Sequence, residues 1–457
     1  MGITQTSETE IEIGRKEKLS FFVVNFANIP IMTLINSYLL IFYTDVILLD
    51  PGIIALIFII TRVFDGVNDP LMGYVIDHLP KTKYGRFRLY LMIGSVICAI
   101  NYVALWLGPA YAPEGKYLIV FISYTLFGIT FDIMDIPLNS MIPVMSETGK
   151  IRNSLSTIKS LGYTSGGIVF GLLAISMVAI VPSSLLLMGY TVLIIFTSVF
   201  EVVASIIGTS GIRERIEPLK KENYNAKDFF RTLSARPVFV HFLSALLTSI
   251  AAGTTTAALL YFFTYIVKNV EVLVISGIFT FSGLFLGFIV GKPILNKYGK
   301  KYTFVIGNIF MNSINLFILL IDPTNFLLLF FILSISSIGG GITQVVGYGL
   351  QADNTDYVEW KNGNRTEGAI ASLVSFVNKA GLGIGAALTA FILAITAYVP
   401  ITPPPSAIQG IFLATYIIPA LLGLIGGLII LFFYPLTKEK NAEIALILKE
   451  RRSSQPD

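Results

Sequence analysis

The sequence predicts an all-α membrane protein of twelve transmembrane helices in two six-helix pseudo-repeats. Three observations carry that expectation. Of 457 residues, 54% are apolar and only 13% charged, about half the charged share of a soluble globular chain, and the mean hydropathy is +0.76. Twelve apolar stretches can be marked, most of them at or above the roughly 20 residues that cross a bilayer. Short motifs of the first six stretches return in the second six at a nearly constant offset.

The first six spans read 20–48, 51–78, 88–110, 116–145, 153–180 and 184–212. Asn25, Asn28 and Pro30 interrupt the first. A charged, polar segment over 213–236 follows. The second six spans read 237–267, 272–296, 302–321, 325–352, 367–397 and 407–435. The organisation is therefore an N-terminal tail (1–19), a six-helix bundle (20–212), a linker (213–236), a second bundle (237–435) and a C-terminal tail (436–457). Cytoplasmic loops of membrane proteins carry the excess of Lys and Arg. With both termini and the linker inside, 27 of the 32 Lys and Arg fall on the inner side, and only Lys116 and Lys268 fall outside. This places both termini in the cytoplasm and the chain in the plasma membrane.

The halves echo each other. Phe42-Tyr43-Thr44-Asp45 closes the first span and Phe262-Phe263-Thr264-Tyr265 closes the seventh, at an offset of 220. Lys83-Tyr84-Gly85-Arg86 and Lys297-Tyr298-Gly299-Lys300 follow the second and eighth spans at an offset of 214, and Arg152 and Arg365 precede the fifth and eleventh at 213. Parallel six-helix repeats are the pattern of major-facilitator transporters.

Several classes are excluded. One cysteine, Cys98, allows no internal disulfide, and two histidines, His78 and His241, exclude a His-rich metal centre. No Walker motif, HExxH or nucleophile-elbow serine occurs, so no enzyme and no cofactor is expected. The net charge of +4 reflects cytoplasmic loops rather than nucleic-acid binding. The polar start of the chain lacks the basic, then apolar, pattern of a signal peptide. Met1 to Thr6 fits the myristoylation pattern, but a short pattern arises by chance and twelve spans need no lipid anchor.

Ionisable groups inside a bilayer are expensive and need a partner or a role. Arg62, Asp65 and Asp69 recur at i, i+3 and i+7 of the second span, on one helical face. Two acids against one base suit a small cation held by carboxylate oxygens, or a proton. A structural ion pair between helices is the alternative. Asp132, Asp135 and Asn139 share a face of the fourth span, and carboxylates there suit sugar hydroxyls. Pairing with Lys159 or Arg62 is their alternative role. Lys379 lies deep in the eleventh span, one turn after Ser375, placed to bridge the halves. Lys159 lies about two turns into the fifth span and is able to snorkel. Glu201 is a lone acid of the sixth span. Gln344, Tyr348 and Gln351 form a polar stripe on the tenth, and Thr254, Thr255 and Thr256 sit in the seventh.

At these residues the chain resembles the glycoside–pentoside–hexuronide:cation symporters of the major facilitator superfamily. The resemblance covers nearly the whole chain. It runs through Tyr43-Thr44-Asp45-Val46, Arg62 through Gly73 and Tyr84-Gly85-Arg86-Phe87-Arg88. It continues at Ile133-Met134-Asp135-Ile136-Pro137, at Ala352-Asp353 with Thr355-Asp356-Tyr357, and from Arg365-Thr366-Glu367-Gly368 to Lys379-Ala380-Gly381. It implies that Asp65 and Asp69 bind the coupling cation, sodium, lithium or a proton, and that Asn68 influences cation choice. It implies that Asp135 binds sugar and that Lys379 lies near both sites. Lys159 falls at or next to a family arginine. The sequence also departs from the family pattern. A second sugar-binding acid of the first span is replaced by Ile29, a span-four tryptophan by Asn139 and a span-ten tryptophan by Gln344. Phe131 keeps an aromatic position, and Asp132 adds an acid. One acid fewer beside a retained Lys159 suits an anionic sugar such as a hexuronide, whereas Asp132 argues the other way.

The expected function is cation-coupled symport of a sugar or glycoside by alternating access, as a monomer. Substrate contacts are expected from Asp135, Asp132, Phe131, Asn139, Lys159, Asn28, Gln344 and Ser375, and coupling from Arg62 and Lys379. The loops from Lys81 to Arg88 and from Asp353 to Arg365 are expected to make inner-gate contacts. The alternative is an uncoupled facilitator or antiporter for a nucleoside or an organic acid.

Overall fold

The structure, a computed structural model, describes residues 13–78, 80, 82–85, 87–146, 149–215, 232–346, 349–363 and 367–453. Among them the chain is helical, and strand-like pairing is confined to a single bridge between Thr82 and Gly85. Ten helical stretches are long and apolar enough to cross a membrane. One of these, Glu271–Leu320, is 50 residues long and turns at Gly299, where φ is 76°, so it supplies two spans. The helix Pro51–His78, which carries Arg62, Asp65 and Asp69, completes the twelve. Large apolar side chains such as Val63, Ile100, Ile207 and Phe432 stand exposed along the helices, as contact with lipid rather than water requires.

The repeat read from sequence is present in the backbone. Phe42–Val46 and Phe262–Ile266 both widen into a π-turn. Both then close in the same way, with Ile47 N on Phe42 O and Val267 N on Phe262 O, each at 3.0 Å. Leu48 and Lys268 follow at φ 59° and 57°. Two non-glycine residues in the left-handed region, 220 positions apart, record one backbone solution used twice, since such residues are uncommon.

The chain divides into two compact units, Met1–Ile35 with Phe64–Lys221, and Asn36–Val63 with Glu222–Asp457. In the first unit, Phe21, Val24, Leu91, Leu138, Met145, Leu155 and Ile212 form one core cluster. Trp106 is fully buried and stacks on Tyr190 at 5.9 Å. The residues that follow the sixth span strap this unit. Arg215 forks onto Glu17 at 2.6 and 2.7 Å, and Glu214 Oε1 accepts the N–H groups of Phe87 and Arg88 at 2.9 Å. Arg88 in turn binds the carbonyls of Thr209 and Ser210.

In the second unit the residues after the last span form a helix, Lys438–Ser453. Its Ile444 and Leu448 enter a core cluster with Val305, Leu350 and Tyr434. Asn441 donates to Asp353 at 2.6 Å, and Lys300 pairs with the same carboxylate. The expected loop contacts of Arg88 and Asp353 are thus made within their own units. Lys81, Arg86 and Arg365 lie outside the described residues.

Candidate substrate and cation site

The fourth span, Lys116–Asn139, organises the polar groups of the first unit. Three residues advance a helix by about 300°, so Asp132 and Asp135 point roughly 60° apart. They meet different neighbours. Asp132 is 1% exposed and accepts a hydrogen bond from Asn68 Nδ2 of the second span at 3.2 Å. One turn earlier, the Asp65 carboxylate lies against Gly128, so close that a Cβ there would overlap Oδ1. Asp65, Asn68 and Asp132 therefore form one oxygen-rich group along the seam of the second and fourth spans. The side chain of Asp69 lies outside the described residues.

Asp135 faces the other way. Its Oδ1 accepts Tyr163 OH at 2.9 Å and Asn28 Nδ2 at 3.4 Å, and its Oδ2 accepts Asn139 Nδ2 at 2.7 Å. Lys159 donates to Asn139 Oδ1 and sits 5.5 Å from the Tyr163 ring centroid. Asn68 bonds Asp132, and Asn139 stands between Asp135 and Lys159, the base weighed for it in the sequence. The result is a chain of alternating charge and amide, Asp135–Asn139–Lys159, with the ammonium at its end. Asn28 is 1% exposed, and its Oδ1 has no hydrogen-bond partner among the described residues. A buried carbonyl oxygen left open in this way is a ready acceptor for a hydroxyl.

The remaining candidates are spread more widely. Phe131 is buried against Phe127, with ring centroids 5.6 Å apart. Glu201 is fully buried, and its Oε1 accepts Ser205 at 3.0 Å. In the second unit, Ser375 and Gln344 are exposed and Lys379 is half-buried. The Arg62 guanidinium lies against Gly383, one turn beyond Lys379, where a Cβ would collide with it. Tyr348 lies outside the described residues.

Sequence reading missed Tyr163 and Gly128. A tyrosine in an apolar helix has no signal of its own; its position one turn after Lys159 was the available clue. Gly128 stands one turn before Asp132, a spacing that marks a close helix approach only once the facing helix is known.

Comparison with known proteins decides the family. The profile of the MFS/sugar transport protein family matches residues 20–438. The chain belongs to this family. It is 29% identical to an uncharacterized symporter, YjmB, of Bacillus subtilis, over 97% of both chains. It is 26% identical to a glucuronide carrier protein homolog of Escherichia coli, over 92% of both. It is also 26% identical to the isoprimeverose transporter of Lactiplantibacillus pentosus, over 84% of this chain and 81% of that one. Among solved structures, a bacterial homolog of the human lysosomal transporter Spinster superposes with a TM-score of 0.64 at 12% identity, covering 92% of this chain and 98% of that one. The nucleoside transporter NupG superposes at 0.62 with 13% identity, covering 92% and 99%. These two establish the all-α major-facilitator fold. The relatives are carriers and symporters, not enzymes, and the resemblance to the glycoside–pentoside–hexuronide:cation symporters holds. The protein is a multi-pass membrane transporter of the sugar-transport type.

Proposed function

We propose that this chain is a cation-coupled symporter that carries a sugar or glycoside bearing an anionic group, by alternating access. The observation that carries the reading is the division of the fourth-span acids. Asp132 joins Asp65 and Asn68, while Asp135 joins Asn28, Asn139, Lys159 and Tyr163. The first group offers hard oxygen ligands, which suit sodium, lithium or a proton. The second holds the Lys159 ammonium at one end of its hydrogen-bond chain and the open Asn28 amide oxygen on the other side of Asp135, which suits a carboxylate-bearing sugar with hydroxyls along its length.

The acids of the two groups stand one turn apart on one helix, so the binding of cation and substrate favour each other. Such coupling is reciprocal and typically about 1–3 kcal/mol. Asp69, one turn after Asp65 in the sequence of the second span, adds a second carboxylate to the cation group, and coupling is assigned to Arg62 and Lys379. Two of the relatives' names point to anionic cargo: the glucuronide carrier protein homolog, and a putative sulfoquinovose importer of Escherichia coli at 23% identity. The working protein is a monomer with two six-helix bundles (20–212 and 237–435), sits in the plasma membrane with both termini in the cytoplasm, and needs no cofactor.

Uptake into proteoliposomes tests this. Labelled glucuronide, pentoside, galactoside and glucoside are offered under a sodium gradient, a pH gradient and no gradient. The expected result is accumulation of the glucuronide above equilibrium under one gradient only. Equilibration without accumulation under every gradient would remove the coupling claim, and accumulation of neutral sugars alone would remove the anionic one.

A further inference from the structure

Asp45, at the end of the first span, is a carboxylate that neither polar group of the candidate site uses. The π-turn Phe42–Val46 aims it into a cluster of hydroxyls. Its Oδ1 accepts Thr44 Oγ1 at 2.6 Å and Tyr398 OH at 2.8 Å, and its Oδ2 accepts Tyr265 OH. Tyr261 OH lies 2.6 Å from Thr44 Oγ1, which completes a relay in which Tyr261 donates to Thr44 and Thr44 donates to Asp45. The three tyrosine rings pack on one another, Tyr398 edge-on to Tyr261 at 5.4 Å and to Tyr265 at 5.7 Å. Thr44, Tyr261 and Tyr398 are buried. Among the described residues no lysine or arginine pairs with Asp45.

Two features make this more than a structural hydrogen-bond cluster. Asp45 and Tyr265 are repeat equivalents, 220 positions apart, in the same π-turn, yet one is an acid and the other its donor. The segment Asn36–Val63, which holds Asp45, belongs to the second unit, although both its ends continue into the helices of the first. The hydroxyl cluster is a polar attachment of its tip. Neutral hydroxyls around a carboxylate are a releasable attachment, because entering water replaces them at small net cost. Leaving a buried ion pair open would be far more expensive.

We propose that Asp45, Thr44, Tyr265 and Tyr398 form a latch. It holds Asn36–Val63 on the second unit in the state seen here, and each transport cycle opens this end of the protein by breaking its hydrogen bonds. The latch rests on the transport reading for its purpose, but its opening is measurable without any substrate.

The test is pulsed dipolar EPR on the full-length protein in nanodiscs. Spin labels are placed at Leu48→Cys and Ile401→Cys, both exposed sites of the second unit, with the buried Cys98 changed to Ser. The unaltered latch is expected to give one dominant short distance. Asp45→Ala, and the gentler pair Tyr265→Phe with Tyr398→Phe, are expected to raise a longer-distance population about tenfold or more. A tyrosine pair that opens the distance supports the latch even where Asp45→Ala fails to fold. Unchanged distance distributions in the folded tyrosine pair overturn it. Opening in the variants with no uptake of any sugar would sustain the latch while removing the transport reading, so the two fail separately.

Discussion

The fourth and tenth spans occupy equivalent places in the repeat and have opposite chemistry. Gly128 and Gly341 correspond at an offset of 213, as do Asp132 and Val345. In the first unit, Gly128 and Asp132 face Asp65 and Asn68 of the second span. In the second unit, Gly341 and Val345 face Gly287 and Gly291 of the eighth, and a Cβ at Gly341 would strike the Leu284 carbonyl and the Gly287 backbone. Small residues allow membrane helices to pack backbone to backbone, and the second seam is packed in this way. The first seam keeps one glycine and fills the remaining space with carboxyl groups, which in a bilayer require an ion, a proton or donors. On the proposed function, one packing solution serves as scaffold in one half and as a cation site in the other. Substitutions should divide accordingly between stability and activity.

The largest effect is expected at the scaffold seam. Gly341→Leu forces the eighth and tenth spans apart and should destabilise the protein by about 3 kcal/mol, read as a lowered melting temperature and loss of the monodisperse peak in size exclusion. A wild-type melting curve would break the comparison at its second seam. At the first seam, Asp65→Asn should leave melting within a few degrees of wild type while apparent cation affinity falls by about 5- to 150-fold. Equal loss of stability at both seams would erase the distinction.

Tyr163→Phe removes one donor from Asp135 but keeps the ring under Lys159. The apparent KM for substrate should rise about tenfold with cation dependence unchanged, and a shift in cation dependence instead would merge the two groups of the fourth span into one. The smallest effect belongs to the strap outside both seams. Glu17→Gln loosens the Arg215 fork and should lower stability by about 1 kcal/mol, less at high salt, with uptake kinetics unaltered.

The spans and their repeat were legible because each leaves a long signal: twenty apolar residues, or a motif returning after 213 to 220 positions. The grouping of Asp135 with Asn139 was legible because i, i+4 spacing fixes a helical face, whereas Asn68 entered the cation group only through the family resemblance. The side of the fourth span on which Asp132 works was not legible. An i, i+3 pair diverges by about 60°, enough for one acid to face the second span and the other the first and fifth. Only the helix neighbours decide that. Tyr163 and the Asp45 cluster were hidden for the same reason, since their partners lie 28 and 220 positions away. The C-terminal helix was read as a tail because its two buried apolar anchors, Ile444 and Leu448, are too few to stand out among charged neighbours.

The central claim is that Asp132 belongs to cation coupling and Asp135 to substrate binding. Paired assays on Asp132→Asn in proteoliposomes test it most directly: gradient-driven accumulation, which requires coupling, and substrate counterflow, which does not. The account predicts that accumulation is lost while counterflow persists at a substrate affinity close to wild type. Loss of counterflow through weakened substrate affinity, with the cation dependence of any residual transport intact, would contradict it and return Asp132 to the substrate group.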